Sequence, residues 1–98
     1  MSVWIAIFED KPNTQHLFDE HKAAHLAYLG AHSAQVKFAA GLCENHGEPS
    51  YGGMWIIRAD SREDAVQICE NDPFFTGGRR AGYKLAAAHV APGFERIL

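Results

Sequence analysis

Residues 3–8 read VWIAIF, and this short apolar run constrains how the rest of the chain is arranged. Its β-branched and aromatic side chains, followed by the charged turn residues EDKPN at 9–13, are typical of a β-strand. A strand with one face in water alternates apolar and polar residues, whereas both faces of this run are apolar. The sequence therefore predicts a strand here with both faces covered.

The segment after this strand is predicted to be a long helix. Thr14 is its candidate N-cap, and the apolar periodicity extends to about Gln35. Two further strands are predicted at residues 36–40 and 54–57, with a polar loop between them. Because this loop is short, we expect the two strands to form an antiparallel hairpin.

A second helix is predicted from the spacing of Ser61 and Asp64, which is that of a capping box. This helix should end before Pro73, since the residue that precedes a proline is pushed out of the helical region. A last strand is expected at about residues 83–90. The tail, residues 92–98, is expected to pack as an extended segment.

The predicted order of elements, β-α-β-β-α-β, is that of the ferredoxin-like fold. We therefore predict one α+β domain over residues 1–98, with a four-stranded antiparallel sheet and both helices on one face. The other face is also apolar in the first, third and last strands. We expect a second copy to cover it, which gives a homodimer of the dimeric α+β barrel type, joined through the open face of the sheet.

Composition and charge narrow the class of function. The 98 residues are 47% hydrophobic and 21% charged, as in an ordinary globular domain, and the net charge is -3. One adjacent basic pair, Arg79-Arg80, is not a nucleic-acid surface, and no apolar run approaches the ~20 residues that span a bilayer. With no signal-peptide pattern and two separated cysteines, Cys43 and Cys69, we expect a cytoplasmic protein without nucleic-acid or membrane partners.

The predicted first helix carries the side chains with the most chemical interest. At about 100° per residue, His21, His25 and His32 lie within roughly 40° of one another on its apolar arc. Polar groups on such a face need partners, so these histidines are either satisfied structural groups or functional ones. His21 and His25 have a zinc-ligand spacing, but Lys22 replaces the catalytic glutamate that usually stands between such ligands, so we expect no metal.

The chain resembles the YCII-related (YciI-like) proteins over nearly its whole length, and three short motifs carry the resemblance. They are KAAHL at residues 22–26, AG at 40–41 and NDPFF at 71–75. Members of this family are similar to muconolactone isomerases and other dimeric α+β barrels, and some are dehydrochlorinases that act on halogenated hydroquinones. The resemblance implies that His25 and Asp72 meet in a cleft as an acid–base dyad.

The chain also departs from the family pattern. Lys22 stands where arginine is usual, and Leu42 stands where proline is frequent. Residues 77–80, GGRR, are unusual and have two interpretations. They either bind an anionic group through backbone N–H groups and a guanidinium, or form a flexible turn with solvated charges.

A histidine paired with a carboxylate suits proton transfer, because the carboxylate fixes the ring tautomer and the other ring nitrogen can accept a proton. Asp72 before Pro73 is, however, also a typical N-cap, and His25 alone could be a buried structural histidine. Two hypotheses remain. One is an isomerase or lyase-type enzyme (a dehydrochlorinase, for example) acting on a small cyclic substrate without an organic cofactor. The other is a non-catalytic ligand-binding or accessory dimerisation module with a structural His–Asp pair.

Basic and aromatic residues near the expected dyad are the candidates for substrate binding. The aromatic ones would line an apolar pocket for an aromatic-like ligand, and the basic ones would add positive charge. The candidates are Lys22, Tyr28, Phe74, Phe75 and Arg79.

Overall fold

A computed structural model of the protein describes residues 2–98. Its strands are β1 (Ser2–Asp10), β2 (Val36–Leu42), β3 (Gly52–Ala59) and β4 (Arg80–Ala88). Its helices are α1 (Gln15–Ala31), α2 (Arg62–Glu70) and α3 (Pro73–Thr76). The predicted order of elements is confirmed, with the one-turn helix α3 added between α2 and β4.

The four strands form one antiparallel sheet in the order β2-β3-β1-β4. This is the ferredoxin-like arrangement, and the prediction of that fold is confirmed; the sheet does not close into a barrel within the chain. Alternate residues of the two central strands are at most 2% exposed, namely Ala6, Phe8, Trp55 and Ile57. They form one core with Ala65 and Cys69 of α2, against which Tyr28 and Leu29 of α1 also pack.

The intervening residues of β1 and β3 point to the opposite side of the sheet, and so does Phe38 of β2, which pairs with Ile56. Ile7 of β1 and Phe38 of β2 are both 43% exposed. Cross-strand pairing joins Ile5 to Ile56 and Ile7 to Met54. Because side chains alternate along a strand, one apolar run supplies both the core and this second apolar surface, which we call the open face.

Helix α1 is shorter than predicted. It ends at Ala31, because the backbone N–H groups of Gln35 and Val36 both donate to the carbonyl of His32 and form a turn instead of further helix. Thr14 occupies the predicted N-cap position, but its hydroxyl donates to the carbonyl of Lys11 rather than accepting a capping bond. None of the helices described within residues 2–98 is both long and apolar enough to cross a bilayer.

The C-terminal part of the chain also differs from expectation. Strand β4 begins at Arg80 and ends at Ala88, which is earlier at both ends than predicted. The last residues form turns rather than an extended segment, since Phe94 N donates to Ala91 O and Leu98 N donates to Glu95 O. The early start of β4 places Arg80 inside the sheet.

Candidate functional site

His25 of α1 and Asp72, which precedes α3, are in direct contact. The His25 Nδ1 atom lies 2.6 Å from Asp72 Oδ1, and the two side chains are 11% and 0% exposed. Asp72 Oδ1 also accepts a hydrogen bond from the backbone N–H of Phe74 at 3.3 Å, with Pro73 at the first position of α3. One carboxylate therefore caps α3 and contacts the imidazole at once, since each oxygen has two lone pairs.

The His25 ring is held by its stacking as well as by this hydrogen bond. It lies on the ring of Phe74 with a centroid distance of 4.0 Å and an interplanar angle of 19°. A neutral imidazole whose Nδ1–H donates to a carboxylate leaves Nε2 as an acceptor. The arrangement can therefore take up and return a proton at Nε2.

The carboxylate of Asp72 belongs to a larger set of buried charges. Arg80 Nη2 lies 3.5 Å from Asp72 Oδ2, and Arg80 Nη1 donates to Asp10 Oδ1 at 2.8 Å. Arg79 Nη2 lies 3.3 Å from Asp10 Oδ2. We call the alternating series Arg79–Asp10–Arg80–Asp72–His25 the buried charge network. Charges that are this deeply buried are tolerated only when each has a partner, and the alternation of sign provides one.

The expectation of a flexible turn with solvated charges at residues 77–80 is wrong. The side chains of Arg79 and Arg80 are each 4% exposed. Arg79 donates from Nη1 to the Thr14 carbonyl at 2.9 Å and from Nη2 to the Ser50 carbonyl at 3.0 Å. Gly78, at φ +90, adopts a backbone conformation that other residues rarely take, in the turn that leads into the two arginines.

A cavity of about 250 Å³ lies between α1 and the sheet, next to His25. Phe74 and Trp55 supply apolar and aromatic wall, while Arg79 and Arg80 supply positive charge. The exposed Lys22 lines the cavity as well, with Nζ 5.5 Å from the centre of the Phe18 ring. The site thus combines a proton acceptor, an aromatic wall and cationic groups around a small volume.

Three predicted substrate-binding residues, Lys22, Phe74 and Arg79, line this cavity with His25, but Tyr28 does not. The Tyr28 hydroxyl donates to the Ile68 carbonyl at 2.7 Å, which turns the ring towards α2. Burial, with a smaller effect of the Asp72 carboxylate, raises the pKa of Tyr28, so the phenol stays protonated as this donor.

Phe75 does not reach the cavity either. It packs edge-on against Tyr83, with ring centroids 5.8 Å apart. Neighbouring residues of a helical turn point about 100° apart, so only one of Phe74 and Phe75 can face His25. The expectation that both would line one pocket is corrected to Phe74 alone.

The other two histidines of the predicted cluster have separate environments. His32 lies beyond the end of α1, where its Nδ1 is 2.9 Å from the Tyr28 carbonyl oxygen. His21 Nε2 lies 3.8 Å from a carboxylate oxygen of Glu20. Among residues 2–98, no three or more His, Cys, Asp or Glu side chains are grouped so that they could hold a metal ion.

Cys69 lies close to the dyad but behaves as a core residue. It is 0% exposed, and burial raises the pKa of its thiol to about 12, with the Asp72 carboxylate contributing in the same direction. A thiol that stays protonated is a poor nucleophile. The structure therefore supports a packing role for Cys69 rather than a nucleophilic one.

Sequence reasoning missed Asp10 as a site residue, and it considered Arg80 only as part of the segment 77–80. Asp10 follows an apolar run and resembles an ordinary turn residue, but it shares the parity of Ala6 and Phe8, which face the helices. That alternation was the available signal for Asp10. For Arg80 the anion-binding interpretation of residues 77–80 indicated the segment, but its burial could not be predicted because it depends on where β4 begins.

Comparisons with known proteins agree with the fold. A family described as the YCII-related domain matches residues 2–87. The structure of 5-chloro-2-hydroxyhydroquinone dehydrochlorinase from Burkholderia phenoliruptrix AC1100, in complex with 2,5-dihydroxybenzoquinone, matches with a TM-score of 0.82 and 25% identity. The match covers 91% of this chain and 95% of that one.

A more distant match shares the fold only. It is an uncharacterized NIPSNAP domain protein from Burkholderia xenovorans, with a TM-score of 0.50 and 9% identity over 95% of this chain and 97% of that one. No curated protein sequence matches the chain.

Proposed function

This chain belongs to the YCII-related domain family, and from that premise we propose that it is a small-molecule enzyme of the lyase type. The proposed reaction is loss of a hydrogen halide from a small halogenated hydroquinone-like ring. His25 and Asp72 are its acid–base dyad. The observation that carries the proposal is the 2.6 Å contact between His25 Nδ1 and Asp72 Oδ1, beside a cavity in a fold that closely matches a dehydrochlorinase.

The reaction requires two proton transfers from oxygen and one to carbon. A ring hydroxyl loses its proton to His25 Nε2 and becomes a carbonyl, while the carbon that bears the halogen takes up a proton and forms the keto tautomer. A second hydroxyl then loses its proton and forms a second carbonyl, and the halide leaves with the electrons of the carbon–halogen bond. The net change is loss of one H–X, with no external oxidant or reductant.

The dyad suits both directions of proton transfer. Asp72 holds the imidazole in one tautomer and stabilises the imidazolium that forms when Nε2 takes the proton. The same group can then return that proton to the ring carbon. The volume of about 250 Å³ and the walls formed by Phe74 and Trp55 suit a single aromatic or quinonoid ring.

The experiment is direct measurement of halide. Purified protein is incubated under argon with 5-chloro-2-hydroxyhydroquinone, and chloride is followed by ion chromatography together with quinone absorbance. We expect one chloride for each quinone formed, at a rate well above that with heat-denatured protein. Equal rates with native and denatured protein would refute the proposal.

The alternative is a ligand-binding module in which the pair is structural. The hydrogen bond from Phe74 N to Asp72 Oδ1 favours it, because capping α3 is by itself a reason for an aspartate at this position. In that case the protein would bind the ring compound in calorimetry and release no halide.

We also propose that the protein is a homodimer through the open face. Ile7 and Phe38 are 43% exposed there, and continuous apolar surface in water is unfavourable. Light scattering should give twice the 10.8 kDa chain mass, and Ile7→Glu should give the single-chain mass. Phe94→Glu is the control, since Phe94 is an exposed aromatic residue in the tail and belongs to none of the four strands. A monodisperse wild-type monomer at micromolar concentration would contradict the proposal.

A further inference from the structure

Gly53 of β3 is the place where the absence of a side chain opens the buried charge network to the cavity. It pairs with Phe8, so it occupies the face of the sheet that the helices cover. A Cβ atom built on Gly53 would lie 3.5 Å from Arg80 Nη2 and 3.6 Å from Arg80 Nη1. Both Gly53 and Arg80 line the cavity. The space next to the guanidinium is therefore available to a ligand atom.

Arg80 has hydrogen-bonding capacity to spare. Its Nη1 donates to Asp10, and its Nη2 lies at the longer distance of 3.5 Å from Asp72 Oδ2. Its Nε–H is buried and finds no acceptor within residues 2–98. Guanidinium carries five N–H donors, and a side chain that is 4% exposed cannot satisfy them with bulk water.

Arg79 differs from Arg80 in the contacts of its Nη atoms. Both of its Nη atoms donate to backbone carbonyls, those of Thr14 and Ser50, and Nη2 also faces Asp10. The Nε–H of Arg79, like that of Arg80, is buried without an acceptor within residues 2–98, but the Nη atoms of Arg79 connect two backbone segments. The Nη atoms of Arg80 instead lie next to Gly53 at the cavity.

The balance of charge around the cavity favours an anion. Lys22, Arg79 and Arg80 are the cationic residues lining it, and Asp10 is an acidic residue lining it. Adding the adjacent Asp72 leaves an excess of one positive charge. Next to a guanidinium that is 4% exposed, such an excess attracts an ionised oxygen more strongly than it would in bulk water.

We propose that Arg80, reached across Gly53, is an oxyanion subsite that binds an ionised ring hydroxyl of the substrate. His25 and Arg80 approach different oxygens of the Asp72 carboxylate and line the same small cavity, so a single ring can reach both. This inference rests on the proposed function for the ring substrate and adds that the enzyme selects its phenolate form. The cation also stabilises negative charge on oxygen as His25 removes the proton.

The test compares two probes of similar size by titration calorimetry at pH 7 under argon. 2,5-Dihydroxybenzoquinone is ionised at this pH, and hydroquinone is neutral. We expect the wild type to bind the ionised probe at least about 10-fold more tightly, the size expected for one charge-assisted hydrogen bond. Gly53→Ala should remove most of that preference, because the added methyl group occupies the space next to the Arg80 guanidinium.

Gly30→Ala is the matched control, because a Cβ at Gly30 meets nothing within 4 Å. It should leave the preference unchanged. A Cβ at Gly53 would also lie 3.2 Å from the Ala40 carbonyl oxygen, so circular dichroism must establish that Gly53→Ala is folded. If Gly53→Ala is not folded, NMR of the wild-type protein tests the subsite instead. The Nε–H resonance of a buried arginine should then shift with the ionised probe and not with hydroquinone.

The outcomes separate this inference from the proposed function. Equal affinity for the two probes, or a folded Gly53→Ala that keeps the preference, overturns the subsite even if chloride is released. In the NMR arm, an unchanged arginine resonance overturns it. A preference that depends on Gly53 supports the subsite even if no chloride is released, in which case only the lyase proposal fails.

Discussion

Replacing His25 by asparagine is expected to lower kcat/KM for halide release by about 10²- to 10⁴-fold, the usual contribution of a general acid–base group. Asparagine can keep a hydrogen bond to Asp72 Oδ1 but has no basic nitrogen that could accept the substrate proton. The dyad geometry makes the loss specific, because Nδ1 is occupied at 2.6 Å and only Nε2 can exchange protons with a ligand. Initial rates of chloride release measure it.

His32→Asn is the matched control for this variant. His32 is the histidine that directly follows the last residue of α1. Its Nδ1 lies beside the Tyr28 carbonyl oxygen, and it does not line the cavity next to His25. The same change of side chain should therefore leave kcat/KM near the wild-type value. Full activity in a folded His25→Asn protein would contradict the acid–base role and favour the structural interpretation.

Stability measurements distinguish the two interpretations of the pair. His25→Asn removes the ring that stacks on Phe74, and the loss of that packing should cost about 0.5–3 kcal/mol, which leaves a domain of ordinary stability folded at 25 °C. Under the catalytic interpretation, His25→Asn loses far more activity than this partial destabilisation explains. Under the structural interpretation, the free energy of unfolding of His25→Asn also falls, but the wild-type protein itself binds the ring compound and releases no halide.

The fold was predictable because short-range patterns determine it. The apolar run at residues 3–8 correctly predicted β1, and the Ser61–Asp64 spacing correctly predicted the start of α2, where Ser61 accepts from Asp64 N. The contact between His25 and Asp72 was expected from the family resemblance. Periodicity alone could not have paired two residues that are 47 positions apart in the chain.

The parts that were not predictable depend on tertiary packing. Two adjacent arginines after two glycines resemble a solvated turn in any local window. Their burial requires Asp10 at the far end of β1, which pairs with Arg80 across a register shift between Glu9 and Asp10. Local propensity contains no information about such a partner, so the charge network emerged only from the structure.

The second large effect is expected for Asp10→Asn, which should lower the free energy of unfolding by about 3–5 kcal/mol. Asp10 is the shared partner of Arg79 and Arg80, and its side chain is 3% exposed. Asparagine has nearly the same shape but no charge, so both guanidinium groups lose their common counter-ion in a site that water does not reach. Urea denaturation followed by circular dichroism measures the change.

Glu44→Gln makes the same change from carboxylate to amide in an exposed loop, and it should alter stability by about 0.5 kcal/mol or less. Adding Arg79→Met to Asp10→Asn should recover part of the loss, because it removes one of the uncompensated charges. The two changes should therefore be clearly non-additive, as expected for contacting residues. Additive effects, or an Asp10→Asn protein as stable as the wild type, would show that other groups compensate the buried charges. Arg80 would then no longer depend on Asp10 for its position beside Gly53.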